Sequence, residues 1–321
     1  MSGAAAMETA KANLDVFSET LLALARKNRN ILVVTSDSRG SGKLVPFAQA
    51  LPGQIVEVGI AEQNLVGIAA GLASAGKIVF AVSPGSFLTA RSLEQIKNDV
   101  CYSDHPVKLV GISSGVSYGA LGSTHHSLHD LAVLRAIPNC TIVVPADNFE
   151  TAEAVKAAAE MPHPVFLRFG KRPMPPLHRP GTKFTVGKSL LVRRGNDIAF
   201  IATGETVVQA AGACDLLARE GISARVLSMH TVKPLDEEAV LQAAQECGAV
   251  VTVEEHSCAG GLGEACAAVL LQSGVSVPFR IVGFPDEETV SGSQLDMMAY
   301  YGISPEGLAE TARTLLNRKR L

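Results

Sequence analysis

The sequence contains no tryptophan, only 5% aromatic residues and only 18% charged ones. Its formal net charge is -3, and no basic stripe interleaved with aromatics is present, so the electrostatic footprint of a nucleic-acid binder is missing. No apolar run is long enough to cross a bilayer, because residues such as Lys77 interrupt the candidates. The opening residues, "MSGAAAMETAKANLDVF", have neither a basic start nor a long apolar stretch, so no secretory leader is expected. The 6 cysteines are scattered and form no C-x-x-C pair. That usage points to reduced, mostly buried thiols in a cytoplasmic protein, with no disulfide or metal framework. One dipeptide is missing as well: Asp-Gly occurs nowhere.

What is present is a folded composition, 321 residues long and 47% hydrophobic, enough for two domains with real cores. Strand-like and helix-like segments alternate from "ILVVTS" through "IVEV", "KIVFAVS", "VKLVGIS" and "CTIVV" to "PVFLRFG". This alternation predicts a parallel sheet covered by helices on both faces. The proline-rich stretch "GKRPMPPLHRPGTKF" cannot continue a helix or a central strand and reads as a linker. A second alternation runs from "DIAFIATGETVVQAAGACDLLARE" through "SARVLSM" and "AVVTVEE" to "VPFRIVGF". The expected architecture is α/β, two doubly wound domains over residues 8–178 and 187–321, each with a mostly parallel sheet flanked by helices.

In such sheets ligands sit outside the carboxyl ends of the strands. Asp37, Glu62, Phe87, Ser113, His125 and Arg168 all fall there in the first domain. Glu62 poses a particular problem. In "IVEVGIAEQNLVGIAAGLASAG" it begins a helix of small and apolar residues, on one face with Leu65 and Val66. A buried, unpaired carboxylate is unfavourable by several kcal/mol or takes up a proton. Two tempting motifs fail. "DSRGSGK" is no phosphate-binding loop, since Lys43 is followed by Leu44, and "GGLGEA" is better explained as a tight strand-to-helix turn. Glu254, Glu255 and His256 read as a solvated or interdomain polar cluster, because adjacent strand residues cannot both point inward.

Seven stretches carry a resemblance: "GIAEQNLVGIAAGLA", "SLEQIKND", "GSTHHSLHDLAVLRAIPN", "VVPAD", "TVKPLD", "VVTVEEH" and "GGLGEA". Together they resemble the thiamine diphosphate-dependent transketolase family over nearly the whole chain, and more closely the C-terminal half of a split transketolase. The resemblance implies that Glu62 bonds the cofactor's aminopyrimidine ring nitrogen and favours its imino tautomer, where a helix N-terminal glutamate is the rival reading. It implies that Phe87 stacks on that ring, against an ordinary core phenylalanine, and that Asp37 lies near the thiazolium, against a helix or turn cap. Arg91 is a pocket residue or a solvated helix arginine. His125 is implied to bond substrate hydroxyls and relay protons, with His126 beside it. Arg168 and Lys171 are implied to receive the anionic end of a sugar phosphate, with Ser41 assisting, or else are surface and linker charges.

Two positions depart from the family. Ordinary transketolases carry an aspartate at the place of Leu121 and a histidine at the place of Ser113, so the preferred sugar is expected to differ. Thiamine diphosphate is also held in this family through Mg2+ and a "GDG" motif on a separate domain, and this chain has no Asp-Gly. The resemblance therefore implies that an N-terminal partner subunit carries the diphosphate and Mg2+ site, with this chain dimerising inside a two-plus-two assembly. The expected reaction is transfer of a two-carbon ketol unit from a ketose to an aldose. The alternatives are the beta subunit of a 2-oxoacid dehydrogenase or a 1-deoxyxylulose-5-phosphate synthase-like enzyme, and, from another class, a catalytically idle scaffold or regulatory partner.

Overall fold

A computed structural model describes residues 10–318. The expected first-domain start at residue 8, the chain end at residue 321 and most of the stretch read for a leader lie outside them. Six strands follow the first alternation: β1 Ile31–Thr35, β2 Ile55–Glu57, β3 Ile78–Pro84, β4 Val107–Ile112, β5 Thr141–Val143 and β6 Val165–Arg168. The second set is β7 Leu190–Arg193, β8 Ile198–Ala202, β9 Ala224–Ser228, β10 Thr231–Lys233, β11 Val250–Ser257 and β12 Phe279–Phe284. They form a seven-stranded sheet of order β10-β5-β6-β4-β3-β1-β2 and a five-stranded sheet of order β12-β11-β8-β9-β7.

Every residue of β4 and β8 is buried, as helices on both faces require of a parallel sheet. Two hydrophobic clusters flank the first sheet and two the second; one of the latter includes Val116 and Ala146 from the first half of the chain. Even Lys108, inside β4, is fully buried; its Nζ donates to the carbonyls of Met161 at 2.7 Å and His163 at 2.9 Å.

Two strands depart from the expected parallel pattern. β7 lies antiparallel to β9 at one edge, and β10 crosses over to pair antiparallel with β5 in the first sheet. Each is only three or four residues long and is closed by basic residues or proline, Arg193 and Arg194 at the end of β7 and Lys233 and Pro234 at that of β10, whereas the equally short β2 and β5 lie in the longer, mostly apolar runs "IVEV" and "CTIVV". The proline-rich stretch forms no helix or ladder strand but is packed down: Met174 is buried and the His178 ring lies 2.7 Å from Glu150 Oε1.

Candidate active site

The helix Glu62–Ser74 buries Glu62, Leu65, Val66, Ala69, Ala70 and Ala73, a stripe at helical spacing. Glu62 heads that stripe and is 3% exposed, so the sequence placed it on the correct face. It is not unpaired. Arg91 Nη1 donates to both of its carboxylate oxygens at 3.0 Å. The positive end of the helix dipole favours the same charge.

Arg91 closes the helix Gly85–Arg91, which springs directly from β3. Phe87 stands one turn earlier on that helix, and the Arg91 guanidinium carbon lies 4.3 Å from its ring centroid. Phe87 is half-buried, in contrast to its fully buried neighbour Leu88, so it is not an ordinary core phenylalanine. Its ring meets that of His125 at 5.3 Å with a 69° interplanar angle. His125 in turn meets Tyr118 at 5.4 Å and 67°, and Lys171 Nζ sits 4.6 Å from the Tyr118 centroid. Glu62, Arg91, Phe87, His125, Tyr118 and Lys171 thus form one unbroken line of contacts. Five of them were singled out from sequence. Tyr118 was missed, although it is the one aromatic side chain in the loop "SSGVSYGALGSTHH".

Other expected site residues fall elsewhere. Asp37 is exposed beyond β1, with a left-handed φ of 55°, and its N–H donates to Glu57 Oε1 at 2.6 Å. Its carboxylate accepts no hydrogen bond among the described residues, which leaves it without a capping role. Ser41 is exposed, and its hydroxyl turns back to the Ser38 carbonyl at 3.3 Å. Neither contacts the line above.

Two expectations are corrected, those for Arg168 and His126. Arg168 is no surface receiver of an anion: it is 6% exposed, and its Nε donates to Asp130 Oδ2 at 2.8 Å. Its Nη2 donates to the carbonyls of Ser127 at 3.0 Å and Glu255 at 2.9 Å, so it ties the two sheets' loops together. His126 is buried, with Nε2 at 2.9 Å from the Gly119 carbonyl and Nδ1 at 3.5 Å from Thr289 Oγ1. It staples the loop and does not face solvent. Ser113 immediately follows β4 with a left-handed φ of 53°, and its hydroxyl is buried without a partner among the described residues. Leu121, by contrast, is 58% exposed at the tip of the His125 loop.

The Glu254, Glu255 and His256 cluster is interdomain and fully buried, not solvated. Adjacent strand positions send the two carboxylates to different partners. Glu254 accepts from the N–H groups of Leu262 at 2.7 Å and Gly263 at 2.8 Å, at the start of the helix Leu262–Gln272. The "GGLGEA" stretch is therefore a strand-to-helix turn. Glu255 accepts from Val116 N–H at 2.7 Å, and Gln294 Nε2 bridges it at 3.0 Å to Glu205. Burial, reinforced by the neighbouring Glu255, pushes Glu205 up to about 7, while burial pushes His256 down to about 4. Among the described residues no group of three or more His, Cys, Asp or Glu side chains converges as metal ligands would.

A family model described as transketolase, pyrimidine binding domain, matches residues 9–176, and one described as transketolase, C-terminal domain, matches residues 187–308. The chain is 48% identical over 297 residues to an apulose-4-phosphate transketolase subunit of Phocaeicola vulgatus, covering 92% of this chain and 95% of that protein. It is 38% identical over 307 residues to 1-deoxy-D-xylulose-5-phosphate synthase of Heliobacterium modesticaldum, covering 95% of this chain but 47% of the synthase. Among solved structures, a split-gene transketolase in an inactive beta4 tetramer superposes with a TM-score of 0.85 at 35% identity, covering 96% of this chain and 99% of that one. The chain therefore belongs to the transketolase family, as the half that carries its pyrimidine-binding and C-terminal domains.

Proposed function

We propose that this chain is one subunit of a split, thiamine diphosphate-dependent transketolase, completed by an N-terminal partner. The observation that carries this reading is the similarity to a protein named as a transketolase subunit and to a split-gene transketolase chain. The chain spans nearly all of the Phocaeicola transketolase subunit and of a split-gene transketolase, but only half of a one-chain synthase. The partner would hold the diphosphate and Mg2+. Residues 8–178 would form the pyrimidine-binding domain and 187–321 the C-terminal domain. A cytoplasmic location and a two-plus-two assembly complete the proposal.

The residues present fit the cofactor's pyrimidine end. A carboxylate shielded at a helix N-terminus and a half-buried aromatic ring are joined by one arginine that touches both, and both are reached from strand ends of one sheet. When bound, the cofactor supplies a carbon nucleophile for passing on a two-carbon ketol unit. Glu62 would hold the aminopyrimidine ring nitrogen by a hydrogen bond, after Arg91 shifts from its carboxylate. Phe87 would pack against the pyrimidine, and Asp37 would face the thiazolium. His125 would hold or accept a substrate hydroxyl proton, and Lys171 would meet an anionic group of the sugar.

The test is reconstitution. The chain, co-expressed with an N-terminal partner and given thiamine diphosphate and magnesium, should transfer ketol units from ketose phosphates. The substrate panel starts with apulose 4-phosphate, the sugar named for the Phocaeicola relative. Transfer by this chain without the partner, or full transfer by Glu62→Ala, would refute the proposal. The synthase-like reading is favoured by relatives 33–38% identical, of each of which the chain covers 47–48%, and pyruvate consumption with carbon dioxide release would reveal it.

A further inference from the structure

We propose that Tyr118 is a positioning residue that holds His125 and Lys171 at a fixed spacing, so that one side chain sets how a phosphorylated sugar lies in the site. The kinetic part of this inference rests on the ketol-transfer reading; the geometric part stands without it.

Tyr118 immediately precedes the single turn Gly119–Leu121 and is half-buried. Phe87 and Tyr118 both meet the His125 imidazole edge-on, at 5.3 and 5.4 Å. Such T-shaped contacts are among the arrangements that aromatic rings prefer. Nδ1 of His125 lies 3.0 Å from Thr124 Oγ1, which leaves Nε2 as the ring nitrogen without a protein partner among the described residues. Two rings and one hydroxyl therefore fix the imidazole, with Nε2 left to exchange a proton. Phe87 is expected at the cofactor, so Tyr118 is the restraint on the substrate side.

The same phenol holds Lys171. Its ammonium lies 4.6 Å from the Tyr118 centroid and forms no salt bridge among the described residues. An ammonium drawn to a ring face keeps its charge and its N–H donors. A lysine loses considerable rotamer freedom when it grips an anion, and a stem already parked on a ring has less to lose. The imidazole that meets a hydroxyl and the ammonium that meets a phosphate thus share one wall.

The test uses Tyr118→Leu, Tyr118→Phe, Lys171→Met and the Tyr118→Leu/Lys171→Met double variant of the full chain. In the reconstituted complex, Tyr118→Leu should raise KM for the phosphorylated ketose about fivefold. Its KM for the same ketose without phosphate should rise only about twofold, and its kcat should fall about threefold, because His125 loses one of its restraints. Tyr118→Phe, which keeps the ring, should restore the low KM, and the double variant's KM for the phosphorylated ketose should lie within about twofold of that of Lys171→Met alone. Nuclear magnetic resonance of the chain by itself should show the His125 ring protons moving in Tyr118→Leu and not in Tyr118→Phe. Inorganic phosphate should bind about fivefold more weakly to Tyr118→Leu in the same experiment. Unmoved His125 protons, or equal KM increases with and without the phosphate, would overturn the proposal. A wild-type complex that transfers no ketol unit would instead sink the functional reading, and the resonance and phosphate results would still judge Tyr118.

Discussion

Arg91 clamps both carboxylate oxygens of Glu62 at 3.0 Å, although the arginine is 48% exposed and the glutamate only 3%. A group that the sequence presents as an isolated buried acid is, in the folded chain, one end of an ion pair. Removing Arg91 leaves that carboxylate shielded and unpaired, but water reaches the guanidinium and weakens the attraction. Arg91→Met is expected to destabilise the isolated chain by about 1 kcal/mol, or about 2–4 °C in Tm. Adding Glu62→Gln should recover most of the loss in a double-mutant cycle followed by calorimetry. Additive losses would mean that the pair carries no coupling.

Lys108 gives a pH signature. Burial inside β4 pushes its pKa down from 10.5 to about 7, and its nitrogen still donates to two carbonyls. The folded chain then binds fewer protons than the unfolded chain between those values. Stability should rise with pH through that window and be lost as pH falls to about 7. Urea midpoints of the wild type should climb between pH 7.5 and 9.5 relative to Lys108→Met. Parallel curves for the two proteins would contradict this.

Glu205 predicts the opposite slope. Its pKa is raised from 4.5 to about 7 by burial beside Glu255, so the folded chain holds a proton that the unfolded chain releases. Its contribution is complete below about 4.5 and is lost as pH rises through about 7. Glu205→Gln keeps an oxygen for Gln294 and removes the ionisation. It should raise Tm by about 2–4 °C at pH 8 and change it little at pH 5. A lower Tm at both values would show that the carboxylate is needed for another reason.

The loop bearing His125 is anchored through Gly115, which has a φ of 64° and lies against the Glu255 carboxylate. A Cβ there would collide with the group that accepts the Val116 N–H. Gly115→Ala should therefore destabilise by about 2 kcal/mol or more in urea denaturation. Gly76, just past the helix Glu62–Ser74, supplies the control, since its φ of 81° is also positive but nothing lies within 4 Å of an added Cβ. Gly76→Ala should lose only about 1 kcal/mol. Equal losses would assign the effect to backbone strain alone.

Much of the architecture was legible from local pattern. The stripe from Glu62 to Ala73 follows helical spacing, and β3 and β4 are runs that burial on both faces requires. The short antiparallel strands β7 and β10 escaped, because basic residues and proline break their runs where the equally short β2 and β5 continue as mostly apolar ones. Among the site residues, Arg91, Phe87, His125 and Lys171 fell on one line of contacts leading from Glu62, the last reached through Tyr118, whereas Arg168, His126 and Ser113 turned inward. Residue type and neighbourhood gave the same reading for both groups, since a basic residue at a strand end suits an anion or an internal carboxylate equally well.

The sequence by itself determined the two α/β units, the family and the face on which Glu62 lies, since periodicity and motif order are properties of neighbours along the chain. Only the tertiary structure decided which charges are spent internally. Arg91 finds Glu62 across 29 residues, Arg168 finds Asp130 across 38, and Glu255 finds Val116 across 139. Such partnerships depend on where loops meet after the sheets have packed. Coulomb attraction and desolvation act through space, and no spacing rule along the chain encodes them.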